Sequence, residues 1–319
     1  MQSAKTSQKM SPFPFRPNGA TGTGLLLSLV LMAIAVFPDT ALAQGPAAGP
    51  EIMVYKSVGG SNLTAHVFRP AGAGTFAARP AIVLFHGGGW AAGSPDWVYD
   101  SAKRYASLGA VTVAAEYRLS DSQTLITPIE ALEDARDVMR WMRQNAPKLG
   151  IDPDHIAAFG ISAGGHLAAS LAFFGSRDKG KTSAVPNALL LISPAVAMGN
   201  DKYFQGLLGK RALGREYSPD EQMDGPPPPT IVFNGSVDNL TPLDGVAHYC
   251  ELAKQHGGVC QLNVYPGVGH LFTRKQPFDT RNFDPDPKVW ADATNKGDAF
   301  LAERGFLPQW HPIPAGPGK

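Results

Sequence analysis

Short apolar runs rich in Val, Ile, Leu and Phe recur along the chain and alternate with longer amphipathic stretches. A strand covered on both faces reads as a continuous apolar run, and parallel strands need a crossover segment between them. The alternation therefore calls for an α/β fold, a mostly parallel sheet with helices on both faces. Eight runs qualify as strands, at 52–56, 63–69, 81–85, 111–116, 156–160, 188–193, 230–234 and 261–265. Gly59-Gly60-Ser61 separates the first two by a hairpin-like connection, so an antiparallel start should precede the parallel part. Pro128 opens the clearest helix, in which Ile129, Leu132, Ala135, Val138, Met139 and Met142 recur at threes and fours. The segment 195–229 holds scattered glycines and ends in four consecutive prolines, which reads as a loop-rich insertion able to fold over a site as a small lid. A last helix is expected near 289–304, with a loose tail from Pro308.

Residues 1–43 read as a targeting segment. Lys5, Lys9 and Arg16 precede an uncharged apolar stretch at 25–37, and Ala41-Leu42-Ala43 places small residues just before Gln44. The expectation is a signal peptide cleaved after Ala43, followed by one domain over 44–319 with its core at about 51–304. An apolar stretch of about 13 residues falls short of the roughly 20 that span a bilayer, so no lasting membrane insertion is expected and the product should be periplasmic or secreted. Cys250 and Cys260 are the only cysteines, and export would put them where a disulfide persists. A bridge and a pair of buried thiols both remain open. Twenty-eight basic residues against 27 acidic ones, without a long run of either sign, leave no footprint for a phosphate backbone, so nucleic acid is not an expected partner.

Gly160-Ile161-Ser162-Ala163-Gly164 follows a strand and precedes a good helix start, Gly165-His166-Leu167-Ala168-Ala169. In that context a GxSxG pentapeptide is a sharp turn that presents a nucleophilic serine; the alternative is a glycine-rich turn whose serine caps the helix. His86-Gly87-Gly88-Gly89-Trp90 leaves the strand at 81–85 and offers free backbone N–H groups. A phosphate cradle would end in Gly-Lys-Ser/Thr, which Trp90-Ala91-Ala92 does not supply. His86 is expected to brace this loop. An unactivated serine needs a base and an orienting acid, and His270 and Asp238 sit in loops after the last two strands. Asp244 is the rival acid, better placed in the first turn of the next helix. His155, His166, His248 and His256 read as loop, packing or surface residues. No cluster has metal-ligand spacing and no GxGxxG opens a dinucleotide fold, so neither metal nor cofactor is expected.

Together these residues resemble the bacterial hormone-sensitive-lipase-like esterases and their secreted relatives, the alpha/beta-hydrolase acetylesterases. HGGGW at 86–90, Glu116-Tyr117-Arg118-Leu119, Glu133-Asp134-Ala135, GISAGGHLA at 160–168 and the Asp238 and His270 loops occur in that family's order. The resemblance implies an alpha/beta-hydrolase fold and a Ser162-His270-Asp238 triad, with Gly88, Gly89 and Ala163 donating to the oxyanion. It also implies that residues 116–119 shape the floor of the site. It further implies a serine carboxylesterase working through an acyl-enzyme; together with the expected export and the lack of cap helices, it points to short-chain acyl esters, acetyl above all, on a small molecule or an oligosaccharide. A peptidase or amidase of the same fold is the alternative, followed by a non-catalytic binding protein. Two features depart from the family: few residues lie between Gln44 and the first strand, so no large cap domain is expected, and Gly269-His270-Leu271 stands where Gly-His-Gly is usual.

Overall fold

The sheet begins with a hairpin, β1 (Glu51–Val58) and β2 (Ser61–Phe68), paired antiparallel around Gly59 and Gly60. In the computed structural model, which describes residues 49–71, 78–175, 182–279 and 283–311, the chain then alternates strands and helices. β3 (Arg79–Phe85), α1 (Tyr99–Ser107), β4 (Val111–Ala115), α2 (Pro128–Gln144), α3 (Ala146–Leu149), β5 (Ile151–Ile161) and α4 (Ala163–Phe174) come first. β6 (Ala188–Ile192), α5 (Lys202–Leu208), β7 (Thr230–Gly235), α6 (Leu243–Gln255), β8 (Cys260–Tyr265) and α7 (Pro287–Ala302) complete the series. The strand order is β1-β2-β4-β3-β5-β6-β7-β8, antiparallel as far as the β2–β4 pair and parallel from there on. The signal-peptide reading of residues 1–43 lies outside the described residues. Among the described residues no helix is long and apolar enough to cross a membrane.

Successive side chains of a strand point to opposite faces, and β3 shows the result: Ala81, Val83 and Phe85 enter one apolar cluster, Ile82 and Leu84 the other. The first cluster is closed by α2, α4 and α6 through residues such as Leu132, Leu167 and Val246. The second is closed by α1 and α7 through Tyr105, Phe300 and Leu301. Two covered faces explain why the strands read as unbroken apolar runs. α2 starts at Pro128 because Thr127 caps it: its hydroxyl accepts from the Ile129 amide while Glu130 reaches back to the Thr127 amide at 2.8 Å. Cys250 of α6 and Cys260 of β8 form a disulfide with their Cα atoms 5.3 Å apart. By loop-closure entropy a bridge across so short a segment is worth about 3 kcal/mol.

All eight expected strands are present, and three details differ from the sequence reading. β5 starts at Ile151, earlier than expected, because Ile151 pairs with Arg79 across an irregularity that the polar Asp152-Pro153-Asp154 conceals. The insertion is not all loop: its glycines mask α5, which the Asp201 carboxylate caps by accepting from the Phe204 amide at 2.7 Å. The chain from Pro308 to Trp310 is docked rather than loose, since the bare Cα of Gly109 makes room for Pro308 and the Gln309 amide donates to the Leu108 carbonyl at 3.0 Å. Residues 312–319 lie outside the described residues.

One buried charge ties the hairpin to α2. Asp134 is fully buried and accepts from Arg118 through the amide (2.9 Å), Nε (2.8 Å) and Nη2 (2.8 Å), while Lys56 Nζ lies 2.6 Å away. Lys56 also meets Asp137 at 2.7 Å and Arg118 meets Glu133 at 3.3 Å, so loss of Asp134 removes the buried centre of the group but leaves each cation one carboxylate. Asp134→Ala is therefore expected to lower stability by about 1 to 3 kcal/mol, read as a reduced urea midpoint at unchanged slope. A midpoint equal to that of the unaltered protein would show that the network is dispensable.

Candidate active site

Ser162 stands between β5 and α4 with φ 55° and ψ −117°, a conformation that L residues rarely adopt. The surroundings hold it there. Its amide donates to the Ile192 carbonyl at 3.0 Å, and its own carbonyl accepts from His166 (3.1 Å) and Ala195 (3.2 Å). The glycines of the motif serve close approach: a Cβ on Gly164 would fall 2.2 Å from the Phe85 carbonyl oxygen, so only glycine lets α4 pass over the end of β3.

Three loops at the carboxyl ends of strands bring the expected residues together, where crevices of open α/β sheets form. His270 Nε2 lies 2.9 Å from Ser162 Oγ, and His270 Nδ1 lies 2.9 Å from Asp238 Oδ2 and 3.1 Å from Oδ1. Both carboxylate oxygens have further donors. The amides of Leu240 (3.0 Å) and Thr241 (2.9 Å) reach Oδ1, and the Thr241 hydroxyl reaches Oδ2 at 2.8 Å. Burial alone would raise the Asp238 pKa, but hydrogen bonds from His270 and Thr241 outweigh it and hold the carboxyl below its ordinary value. Asp244 is exposed in the first turn of α6, as expected of a helix-start carboxylate. The residue after His270 is Leu271 at φ 52°, the left-handed region that the usual glycine would occupy freely. Its amide donates to Ser193 Oγ at 3.1 Å, which secures the turn despite the side chain.

The glycine loop of residues 86–90 runs beside this group: a Cβ on Gly87 would lie 3.3 Å from Ser162 Cβ. Gly88 has φ 112°, open only to glycine in practice. Among the described residues the amides of Gly88 and Gly89 find no protein acceptor, and the Ala163 amide, first in α4, has none within its helix. These donors can therefore serve an anion. His86 braces the loop: its ring stacks on Tyr117 with centroids 4.3 Å apart, its Nδ1 lies 2.7 Å from the Gly87 carbonyl, and Tyr117 Oη donates to the His86 carbonyl at 2.9 Å. Burial pushes its pKa down to about 4, so the ring stays neutral and Nδ1 carries the donated proton. Of residues 116–119, Tyr117 supports the loop. Glu116 instead ties β4 to β2, its Oε2 accepting from the Thr64 amide and hydroxyl at 3.0 and 2.6 Å.

His166 is buried on α4 and likewise held neutral by burial, its pKa down to about 4. Its Nε2 donates to the Tyr217 carbonyl at 2.7 Å and its Nδ1 accepts from Trp90 Nε1 at 3.3 Å. It thus joins the nucleophile helix, the glycine loop and the insertion. Arg211 of the insertion clamps Glu130 at the start of α2 at 2.6 Å. Burial opposes ionisation of Glu130, but hydrogen bonds from Arg211 and Thr127 hold its pKa down at about 2. Sequence reasoning missed Thr241, Ser193 and Tyr203, whose hydroxyl donates to the Gly89 carbonyl at 3.1 Å. Thr241 alone had a signal, a hydroxyl three residues after Asp238. Among the described residues no group of His, Cys, Asp or Glu could hold a metal ion.

Comparison with known proteins places residues 82–274 in a family model described as alpha/beta hydrolase fold. The carboxylesterase NlhH of Mycobacterium tuberculosis is 38% identical over 104 residues, which cover 32% of this chain and 31% of that protein. The chain thus spans about a third of the length of this relative. The ethyl acetate hydrolase of Pseudomonas putida is 30% identical over 261 residues, covering 74% of this chain and 80% of the relative. Among solved structures, apo Thermogutta terrifontis esterase 2 superposes with a TM-score of 0.72 at 31% identity, covering 82% of this chain and 97% of that one.

Proposed function

Since the chain belongs to the alpha/beta-hydrolase family, we propose that it is an exported serine carboxylesterase that hydrolyses short-chain acyl esters, acetyl esters above all, including those carried on carbohydrate. The observation that carries this reading is the continuous hydrogen-bonded chain Ser162–His270–Asp238 beside three amides without acceptors. His270 takes the proton of Ser162 Oγ as the oxygen attacks the ester carbonyl. Gly88, Gly89 and Ala163 donate to the oxyanion of the tetrahedral intermediate, and Asp238 holds the imidazolium in place. His270 then protonates the departing alkoxide, leaving an acyl-enzyme. Water repeats the sequence: His270 removes its proton, hydroxide adds to the acyl carbon, and Ser162 leaves with the proton returned. No step calls for a cofactor.

Support for short acyl groups comes from the relatives. The Pseudomonas putida enzyme is named for ethyl acetate, and the Thermogutta terrifontis esterase was solved with propionate and with butyrate bound. Export is supported by the pattern of residues 1–43 and by the Cys250–Cys260 bridge, which suits an oxidising compartment. The test has two parts. A fluorophosphonate should label Ser162, as sarin phosphonylates the Thermogutta terrifontis esterase. A p-nitrophenyl ester series from acetate to octanoate should show the highest kcat/KM at the short end, falling in a graded way because one methylene is worth only about 1 to 3 kcal/mol of discrimination. A kcat/KM that climbs steadily to octanoate would replace the acetyl reading with a lipase-like one.

A further inference from the structure

The carbonyls of the glycine loop form an unbroken run, and each is held by a donor. The His86 carbonyl accepts from Tyr117 Oη at 2.9 Å, and the Gly87 carbonyl from His86 Nδ1 at 2.7 Å. The Gly88 carbonyl accepts from the Ala91 and Ala92 amides at 3.2 and 3.0 Å, and the Trp90 carbonyl from the Ser120 amide at 2.7 Å. All these donors belong to the loop itself or to the segment after β4. The remaining carbonyl, that of Gly89, accepts from Tyr203 Oη at 3.1 Å, across 114 positions of sequence. Tyr203 stands on α5 of the insertion, half exposed, with its ring over Gly89: a Cβ there would lie 3.2 Å from the hydroxyl oxygen and 3.3 Å from a ring carbon.

Gly89 and Trp90 have φ of 58° and 59°, so the loop turns here through two successive left-handed residues. Glycine resists peptide rotation least of all residues. Without a partner for its carbonyl, the Gly89–Trp90 peptide could rotate about the Gly89 Cα, and the Gly89 amide on the other side of that atom would swing with it. The rest of the insertion is well anchored for such a task. Phe204 packs on Trp90 and His166 with ring centroids 4.8 and 5.1 Å apart, and His166 hydrogen-bonds both Trp90 and the Tyr217 carbonyl.

We propose that Tyr203 is a positioning residue for the oxyanion hole: its hydroxyl pins the Gly89 carbonyl so that the Gly89 amide stays directed to the developing charge. The insertion then supports the site and is more than a lid. The inference rests on the esterase reading in one respect, that an oxyanion forms beside Gly89. Tyr203 itself touches no reacting atom.

Tyr203→Phe keeps the ring and removes only the hydroxyl. Its kcat for p-nitrophenyl acetate should fall about threefold to tenfold, the range of one neutral hydrogen bond, with KM unchanged and thermal unfolding unaltered. A trifluoromethyl ketone supplies the readout that a purely structural contact would not move. Ser162 Oγ bonds to its carbonyl carbon, the serine proton passes to His270, and the former carbonyl oxygen becomes an alkoxide in the hole. Its affinity should fall by the same factor as kcat. Equal kcat and equal ketone affinity in the variant, or a change confined to KM, would overturn the proposal. If the unaltered protein turns over no ester, the esterase reading fails by itself, and the rate of fluorophosphonate labelling takes the place of kcat. Labelling slower by the same factor supports a positioning role for Tyr203, whereas equal labelling overturns it. An unaltered protein that neither turns over nor labels overturns both.

Discussion

Replacing Ser162 with Ala is expected to lower kcat for short esters by on the order of 10^6-fold while the protein still folds. The size follows from the way the three side chains act. Without Ser162 Oγ, His270 has nothing to deprotonate at 2.9 Å and Asp238 orients a base with no task, so one substitution removes the work of the whole chain. What survives is the contribution of the amides and of substrate binding, which is small beside it. Stability should change little. Alanine and serine face the same left-handed strain at φ 55°, and the backbone bonds to Ile192, His166 and Ala195 do not involve the hydroxyl. Steady-state kinetics, fluorophosphonate labelling and a thermal melt check the result together. Turnover like that of the unaltered protein from a carefully purified variant would remove Ser162 from the mechanism.

Asp238→Asn is expected to cost about 10^4-fold in kcat, whereas Asp244→Asn should leave it nearly unchanged. In the structure both Asp238 oxygens accept, from His270 and from Leu240 and Thr241. An amide in its place would either turn its NH2 group toward those donors or force His270 into the tautomer that cannot accept the serine proton. The depressed pKa of Asp238 keeps the acid ionised, so it can stabilise the imidazolium whenever that forms. Asp244 is exposed at the start of α6 and makes no contact with His270, so its loss touches only a helix end. Comparing kcat/KM for the two variants decides the assignment, and inactivity of the Asp244 variant would reverse it.

The chain order of elements was legible in the residues, and so were the positions able to carry the chemistry. An apolar run long enough for a doubly covered strand, followed at once by GISAG, HGGG, the Asp238 loop or the His270 loop, is a local signal. A residue just past the carboxyl end of a parallel strand arrives at the same rim of the sheet whatever the other contacts are. The beginning of β5, α5 and the docked chain after Pro308 were not legible, because polar or glycine-rich stretches conceal elements whose stability comes from neighbours distant in sequence. The supports of the site belong to the same class. Ser193 holds the amide after His270 across 78 positions, Trp90 meets His166 across 76 and Tyr203 meets Gly89 across 114, and no local pattern encodes such a meeting. The sequence by itself determined which residues could act and at which end of the sheet they would stand, since strand periodicity and turn chemistry are properties of neighbours in the chain. Tertiary structure alone decided that β4 lies between β2 and β3, that Cys250 and Cys260 are bridged, and which hydroxyls and rings fix the glycine loop and His270, since those depend on how separate layers pack.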